Sequence, residues 1–394
     1  MSKCVDVVWE GGGYGPRAHR KPFRYQAFVP DLIADWDVST TGAASEEVSR
    51  ATAELTHLVK TTTEASSAGQ LASVLAAPLT RSEALGSSFI EGFTISNRQL
   101  ALADRPSSRA KTTARAVLGN VRAMERALAV AASPDPLSVE HLQMVHQALL
   151  TGTTERQYAG KIRTEQNWIG GTSWGPLNAE FVPPPPDMLP MLLEDLVEFC
   201  NRADLPAVVQ AAVAHAQFET LHPFADGNGR AGRCLIHIIL GRRGMEGPLR
   251  PPISLGLAAD KRGYIEGLAA FRSGGVNEWI GAFGHVVSTA TASVGALIAA
   301  VEQLRSDLRQ RAAHPRNDST AAFVIDSIGS QQIWSAKELA LHRGTSDAAA
   351  RSALLQLQNA GALSLVSPKA KRDREWICDD MFDLLDDFER SFLA

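Results

Sequence analysis

Two apolar stretches with helical periodicity, 207–221 and 228–240, are separated by a six-residue turn, and the joint reads LHPFADGNGRAGR over Leu221–Arg233. This joint constrains the chain more than any other segment. Gly227, Asn228 and Gly229 stand where the loop becomes a helix. Glycines there let backbone N–H groups converge, and the start of a helix favours an anion. Arg230 and Arg233 are three apart and share a face just inside that terminus, where their charge opposes the helix dipole. A bound polyphosphate resolves the conflict, because guanidinium forks suit phosphate oxygens. Asp226 beside the nest would be disfavoured by phosphate charge unless a bridging Mg2+ reversed the sign. His222, just upstream, exchanges a proton near neutral pH. Pro223 stiffens the turn and Phe224 is expected to point into the core. Any one of these features suits a glycine-rich turn with a capping Asp and surface arginines. The whole set within one short segment points to phosphate chemistry.

The remainder predicts a mainly α-helical protein. With 394 residues, two or three domains are expected. A net charge of −4 argues against a dedicated polyanion binder. Cys4, Cys200, Cys234 and Cys378 form no CxxC pair, which suits free thiols in a reducing compartment. The N-terminus lacks the basic-then-apolar pattern of a signal peptide, and no run of about 18 apolar residues predicts a membrane span. Residues 1–40, rich in Gly, Pro and aromatics, read as an irregular arm, and Gly11, Gly12, Gly13 and Gly15 make a poor dinucleotide motif. Helical spacing runs from 46 to 133, with Arg81–Ala84 reading as the start of a short helix. Another helix covers 137–150, with Ser138 as its cap. Gly-Gly and Gly-Pro punctuation over 162–186 suggests a hairpin closed by four prolines. Helices are expected again at 187–201, 260–271 and 277–311, and 314–319 reads as a linker. Helices at 321–328, 335–341 and 346–360, then short strands at 363–366 and 374–377, give a winged-helix layout.

HPFADGNGRAGR resembles the signature of the Fic family, His-Pro-Phe-x-(Asp/Glu)-Gly-Asn-Gly-Arg-x-x-Arg, at every specified position. KIRTEQNWIGG…FVPPPP is similar to the β-hairpin flap that precedes it in that family, and FRYQAFVPDLI to the N-terminal region of bacterial multidomain members. The resemblance covers roughly Phe23 to Phe271. It implies a Fic-type helical bundle with a flap: an N-terminal arm and inhibitory region over 1–105, a catalytic core with its following long helix over 106–312, and a winged helix over 313–394. It also implies transfer of AMP from ATP to a Ser, Thr or Tyr hydroxyl of a target protein. His222 would be the general base and Asp226 the Mg2+ ligand. Gly227, Asn228 and Gly229 would cradle phosphates, Arg230 and Arg233 would bind the outer ones, and Tyr264 would lie on the adenine side, with packing an equally good account of it. A target segment would add to the flap as a strand.

Ser87-Ser88-Phe89-Ile90-Glu91-Gly92 resembles the family's inhibitory pattern, (Ser/Thr)-x-x-x-Glu-(Gly/Asn). By that resemblance Glu91 would pair with Arg233 and compete with the γ-phosphate, a reading that the catalytic motif downstream favours over a surface carboxylate at a helix end. The expected setting is cytoplasmic and not membrane-bound, with self-modification and a homodimer among the expected partnerships. Three other activities stay open: DNA binding by the C-terminal unit, through a wing made basic by Lys369, Lys371, Arg372 and Arg374; transfer of another phosphate-linked group, since the motif does not fix the donor; and removal of AMP with Glu91 orienting a water. The expected recognition helix, with Arg351 its one basic residue, tells against DNA. His215 and His237 read as core groups, and His141 and His146, five apart, do not share a helix face. Trp168 and Trp174 read equally as flap anchors or as contacts to a target.

Overall fold

The computed structural model describes residues 2–12, 15–63, 67–105, 110–369 and 373–393, and these are mainly α-helical. They form two compact units. The first comprises residues 1–52, 119–245 and 261–285, and the second 53–118, 246–260 and 286–394.

The first unit begins with strands where an irregular arm is expected. Lys3–Trp9 pairs antiparallel with Phe23–Val29, from Lys3 opposite Val29 to Trp9 opposite Phe23. Val5, Val7 and Trp9 are half-buried while Cys4, Asp6 and Val8 face solvent. That is the period-two signature of a strand, here short and hidden beside glycine and proline. The helix Ala207–Leu221 is buried along its whole length and packs on Leu189–Cys200 and Asn228–Arg242. A Cβ at Gly232 would crowd Glu219 Oε1 and Phe218 Cδ1, so glycine there lets those side chains close against the second helix. Trp279 Nε1 donates to the Ala212 carbonyl at 2.8 Å and seals another side of the same helix. Ser138 is the N-cap of Val139–Leu150, with its N–H donating to His141 Nδ1 at 3.1 Å.

The flap is looser than a regular hairpin. Residues 162–186 hold isolated bridges, Ile169 with Phe181 and Thr172 with Gly175, in place of continuous strands. Positive φ at Gly170, Gly171 and Asn178 breaks the ladder, and Pro183–Pro186 brings no N–H to extend it.

In the second unit the helix carrying Arg81–Ala84 begins far earlier than expected, running Ser67–Ile90 through Pro78. Burial of Leu71, Leu75 and Leu79 in one core with Val294, Leu297 and Ile325 outweighs the missing proline N–H. A helix the sequence reading lacks, Ile253–Ala259, lies on it. The Glu83 carboxylate accepts from Ser254 N at 2.7 Å and from Ser254 Oγ. The C-terminal part runs Thr320–Asp326, Ile333–Ser335, Ala336–Arg343, Asp347–Asn359, Ser364–Leu365 and Glu375–Ile377. Ser319, Ser335 and Ser346 cap its three helices. Ile333–Ser335, not foreseen in the sequence, and Ser364–Leu365 both pair antiparallel with Glu375–Ile377. A final helix, Asp379–Leu393, buries Met381, Phe382 and Leu385. Lys371 and Arg372 of the expected wing, and Gly13 of the arm, lie outside the described residues.

Among the described residues one helix, Val276–Arg311, is long and apolar enough to cross a membrane by length and composition. Ile280, Phe283, Val287, Ala290, Val294, Leu297 and Val301 are buried along it at three- and four-residue spacing, which is the pattern of a core helix.

Candidate active site

In the first unit the turn between Ala207–Leu221 and Asn228–Arg242 is held in an uncommon conformation. His222 closes the first helix with φ 48°, a left-handed value that a non-glycine residue adopts only when its surroundings impose it. Gly227 opens the second helix at φ 78°, where glycine carries no penalty. Phe224 is fully buried, as its place in the motif suggests. The first N–H groups of Asn228–Arg242 have no partner within the helix, so the joint presents donors and the positive end of a helix dipole.

The motif residues take distinct positions. Arg230 and Arg233 are buried, at 4% and 1% exposure, on the first turns of that helix. Asp226 is half-exposed, its Oδ2 3.4 Å from Arg230 Nη2. The Asn228 side chain does not face outward: Oδ1 accepts from Phe224 N and Nδ2 donates to Phe224 O, both at 2.8 Å. Asn228 therefore closes the loop with its side chain and contributes to the nest through its backbone. His222 Nδ1 lies 3.4 Å from the Glu219 carbonyl, which favours the proton on Nδ1 and the lone pair on Nε2. Among the described residues no group of three His, Cys, Asp or Glu could hold a metal ion. A single half-exposed carboxylate beside an anion nest fits Mg2+ carried by a nucleotide, which takes one or two carboxylates plus phosphate oxygens.

Three residues that the sequence reading gave no role in the site support this loop. The Arg163 guanidinium donates from Nε to His222 O at 2.8 Å and from Nη2 to Pro184 O at 2.6 Å, while its backbone N–H donates to Pro223 O at 2.9 Å. Burial pushes that guanidinium down to about 10. Asn167 Nδ2 donates to His222 O at 3.2 Å and Phe224 O at 3.0 Å. His146 is fully buried and stacks on Phe224 with ring centroids 3.7 Å apart. Its Nε2 lies 2.8 Å from Asp226 O and its Nδ1 accepts from Gly160 N at 3.0 Å. Burial drives its imidazole down to about 4.

Tyr264 is buried, with its hydroxyl 2.9 Å from Nε2 of His215, whose imidazole is pushed down to about 3 by burial. His237 is fully buried too. Trp168 Nε1 donates to Thr172 O within the flap at 2.7 Å, and Trp174 is exposed. Ser87, Glu91 and Gly92 belong to the second unit. There Gly92 at φ 85° ends the helix Ser67–Ile90, with Phe93 N–H on Ser88 O and Gly92 N–H on Phe89 O. This is a Schellman cap, with Ser87 buried and Glu91 exposed at the helix end.

Comparison with known proteins agrees with this arrangement. Residues 136–240 match the Fic/DOC family, and residues 45–129 match its N-terminal region. The chain is 29% identical over 161 residues to protein adenylyltransferase fic-1 of Caenorhabditis elegans, covering 38% of this chain and 30% of that protein. It is 41% identical over 68 residues to a probable protein adenylyltransferase of Aquifex aeolicus, covering 17% of this chain and 21% of that one. The chain thus spans less than a third of the length of these relatives. A Fic family protein from Desulfovibrio desulfuricans shares the fold at a TM-score of 0.55 and 20% identity, over 86% of this chain and 97% of that one. By its motif, fold and these matches, the chain belongs to the Fic/DOC family.

Proposed function

We propose that this chain is a protein adenylyltransferase that moves AMP from ATP to a Ser, Thr or Tyr hydroxyl of a protein. One observation carries the reading: His222 is held in a left-handed turn beside a glycine nest, with two buried arginines on the helix behind it. The backbone N–H groups of Gly227, Asn228 and Gly229 cradle the phosphates, and Arg230 and Arg233 neutralise the outer ones. Asp226 would hold Mg2+, which when bound supplies charge neutralisation on the phosphates. His222 Nε2 accepts the proton of the attacking hydroxyl. The hydroxyl oxygen bonds to the α-phosphorus, the bond to the bridging oxygen breaks, and pyrophosphate leaves. The open ladder around the Ile169–Phe181 bridge offers backbone groups to an extended target segment. That docking orients the acceptor. The names of the relatives support the same activity. Free thiols at all four cysteines suit a cytoplasmic setting.

The Ser87–Gly92 segment belongs to the proposal as an internal inhibitor, Glu91 competing with the γ-phosphate for Arg233. The test is labelling of protein by ATP tagged on the α-phosphate. His222→Ala should abolish labelling and Glu91→Gly should raise it. Equal labelling in all three proteins would refute the assignment, and loss in the first without gain in the second would refute only the inhibition.

A further inference from the structure

A loop that binds phosphate through its N–H groups must dispose of its carbonyls. In a trans peptide the C=O and the following N–H point in opposite directions. A donor holding one carbonyl from behind therefore aims the next N–H forward. Behind this loop, Arg163 and Asn167 hold His222 O, the Arg163 backbone holds Pro223 O, and Asn167 and Asn228 hold Phe224 O. Asp226 O receives His146 Nε2 at 2.8 Å. The peptide between Asp226 and Gly227 is the one where the carboxylate-bearing residue meets the first N–H of the nest.

The geometry fixes the state of the ring. Gly160 N–H can only donate, so Nδ1 accepts, and Asp226 O can only accept, so Nε2 donates. Gly160 lies at φ 71°, and its carbonyl is held in turn by Gln143 Nε2 at 2.8 Å. The helix Val139–Leu150 thus grips both the segment leading into the flap and the nest.

We propose that His146 is a positioning residue for phosphate binding: its Nε2–H tautomer, set by the Gly160 amide, fixes the Asp226–Gly227 peptide so that the Gly227 N–H faces away from the core. It touches no reacting atom and acts through Asp226 and Gly227. The idea rests on the nucleotide reading given above and deepens it.

The test uses the full chain in a His222→Ala background, so that nucleotide binds without turnover. Titration with ATP and Mg2+ is compared for His146, His146→Gln and His146→Leu. Gln keeps a donor for Asp226 O, and Leu keeps only bulk. Leu should weaken binding about 10–100-fold, the usual cost of losing a group that orients a metal carboxylate, and Gln should recover most of it. With His222 intact, the same variants should lower kcat as well as raise KM. If the parent binds ATP·Mg2+ and a folded Leu variant binds equally well, positioning by His146 is wrong. If the parent does not bind at all, the nucleotide reading itself fails. Should the Leu variant not fold, the 15N shifts of the His146 ring in the parent decide. A protonated Nε2 and an unprotonated Nδ1 uphold the proposal, and the opposite tautomer or an imidazolium overturns it.

Discussion

Glu389→Gln should stabilise the C-terminal part of this protein at alkaline pH and do so far less at pH 5. Glu389, on the helix Asp379–Leu393, accepts from Ser82 Oγ at 2.6 Å. Its neighbour Asp386 accepts from both nitrogens of Asn97, at 3.3 and 2.9 Å. Desolvation first, and the Asp386 charge after it, raise the Glu389 carboxyl from 4.5 to about 7, against the opposing hydrogen bonds from Ser82 and Asn97. The folded form therefore binds its proton more tightly than the unfolded chain does. Between about pH 4.5 and 7 the unfolded state sheds that proton and the folded state keeps it, so stability falls as pH rises. That rise in the Glu389 carboxyl corresponds to at most about 3 kcal/mol, lost by pH 8. Glutamine has the same shape and no charge to desolvate. Hydrogen exchange of the Asp379–Leu393 and Ser67–Ile90 amides at pH 5 and pH 8 reads this part of the chain directly. After correction for intrinsic exchange, the parent should lose protection with pH relative to Glu389→Gln, because all other titrating groups cancel in the difference. Parallel pH profiles would refute the reasoning, as would a variant less stable than its parent at pH 8.

Gly227→Ala should lower nucleotide labelling about tenfold, since alanine at φ 78° costs about 1–2 kcal/mol and its Cβ would stand 2.8 Å from Leu149 Cδ2; unchanged ATP titration would count against the nest. Tyr264→Phe should cost about 1–3 kcal/mol in urea unfolding by stripping His215 Nε2 of its hydroxyl, with ATP affinity intact; lost affinity at unchanged stability would instead place Tyr264 at the adenine side. Asn167→Asp should impair labelling more than Asn167→Leu, because a carboxylate would face the His222 and Phe224 carbonyls that Nδ2 now holds; equal effects would mean that those two bonds do not shape the loop.

Helix existence was legible wherever periodicity was long. Ala207–Leu221 matches its sequence limits because Pro206 precedes it and His222-Pro223 ends it. The serine cap at 138 follows from local chemistry in the same way. The Lys3–Trp9 strand was hidden because seven residues of alternation beside a glycine run carry little pattern. The early start of Ser67–Ile90 was hidden because Pro78 argues locally for a boundary, and only burial of Leu71, Leu75 and Leu79 overrules it. The flap's glycines suggest a hairpin in the sequence, and those same glycines, at positive φ, prevent regular strands.

The site divides along the same physical line. Its charged and basic groups, His222, Asp226, Arg230 and Arg233, are named by one contiguous motif, because a helix N-terminus gathers neighbours in sequence into one place. Apart from Asn228, which lies within the motif, the donors that hold the loop from behind follow no such rule. A carbonyl turned away from a ligand must be met by whatever element packs there, and those residues lie between 55 and 80 positions away in the chain. Arg163 and Asn167 come from an irregular segment with no periodicity, and His146 from a helix whose pattern explains it as an ordinary core position. For any phosphate-binding loop, then, a motif names the groups that meet the ligand. The groups that keep backbone oxygens from repelling it emerge only when each carbonyl is followed to its donor.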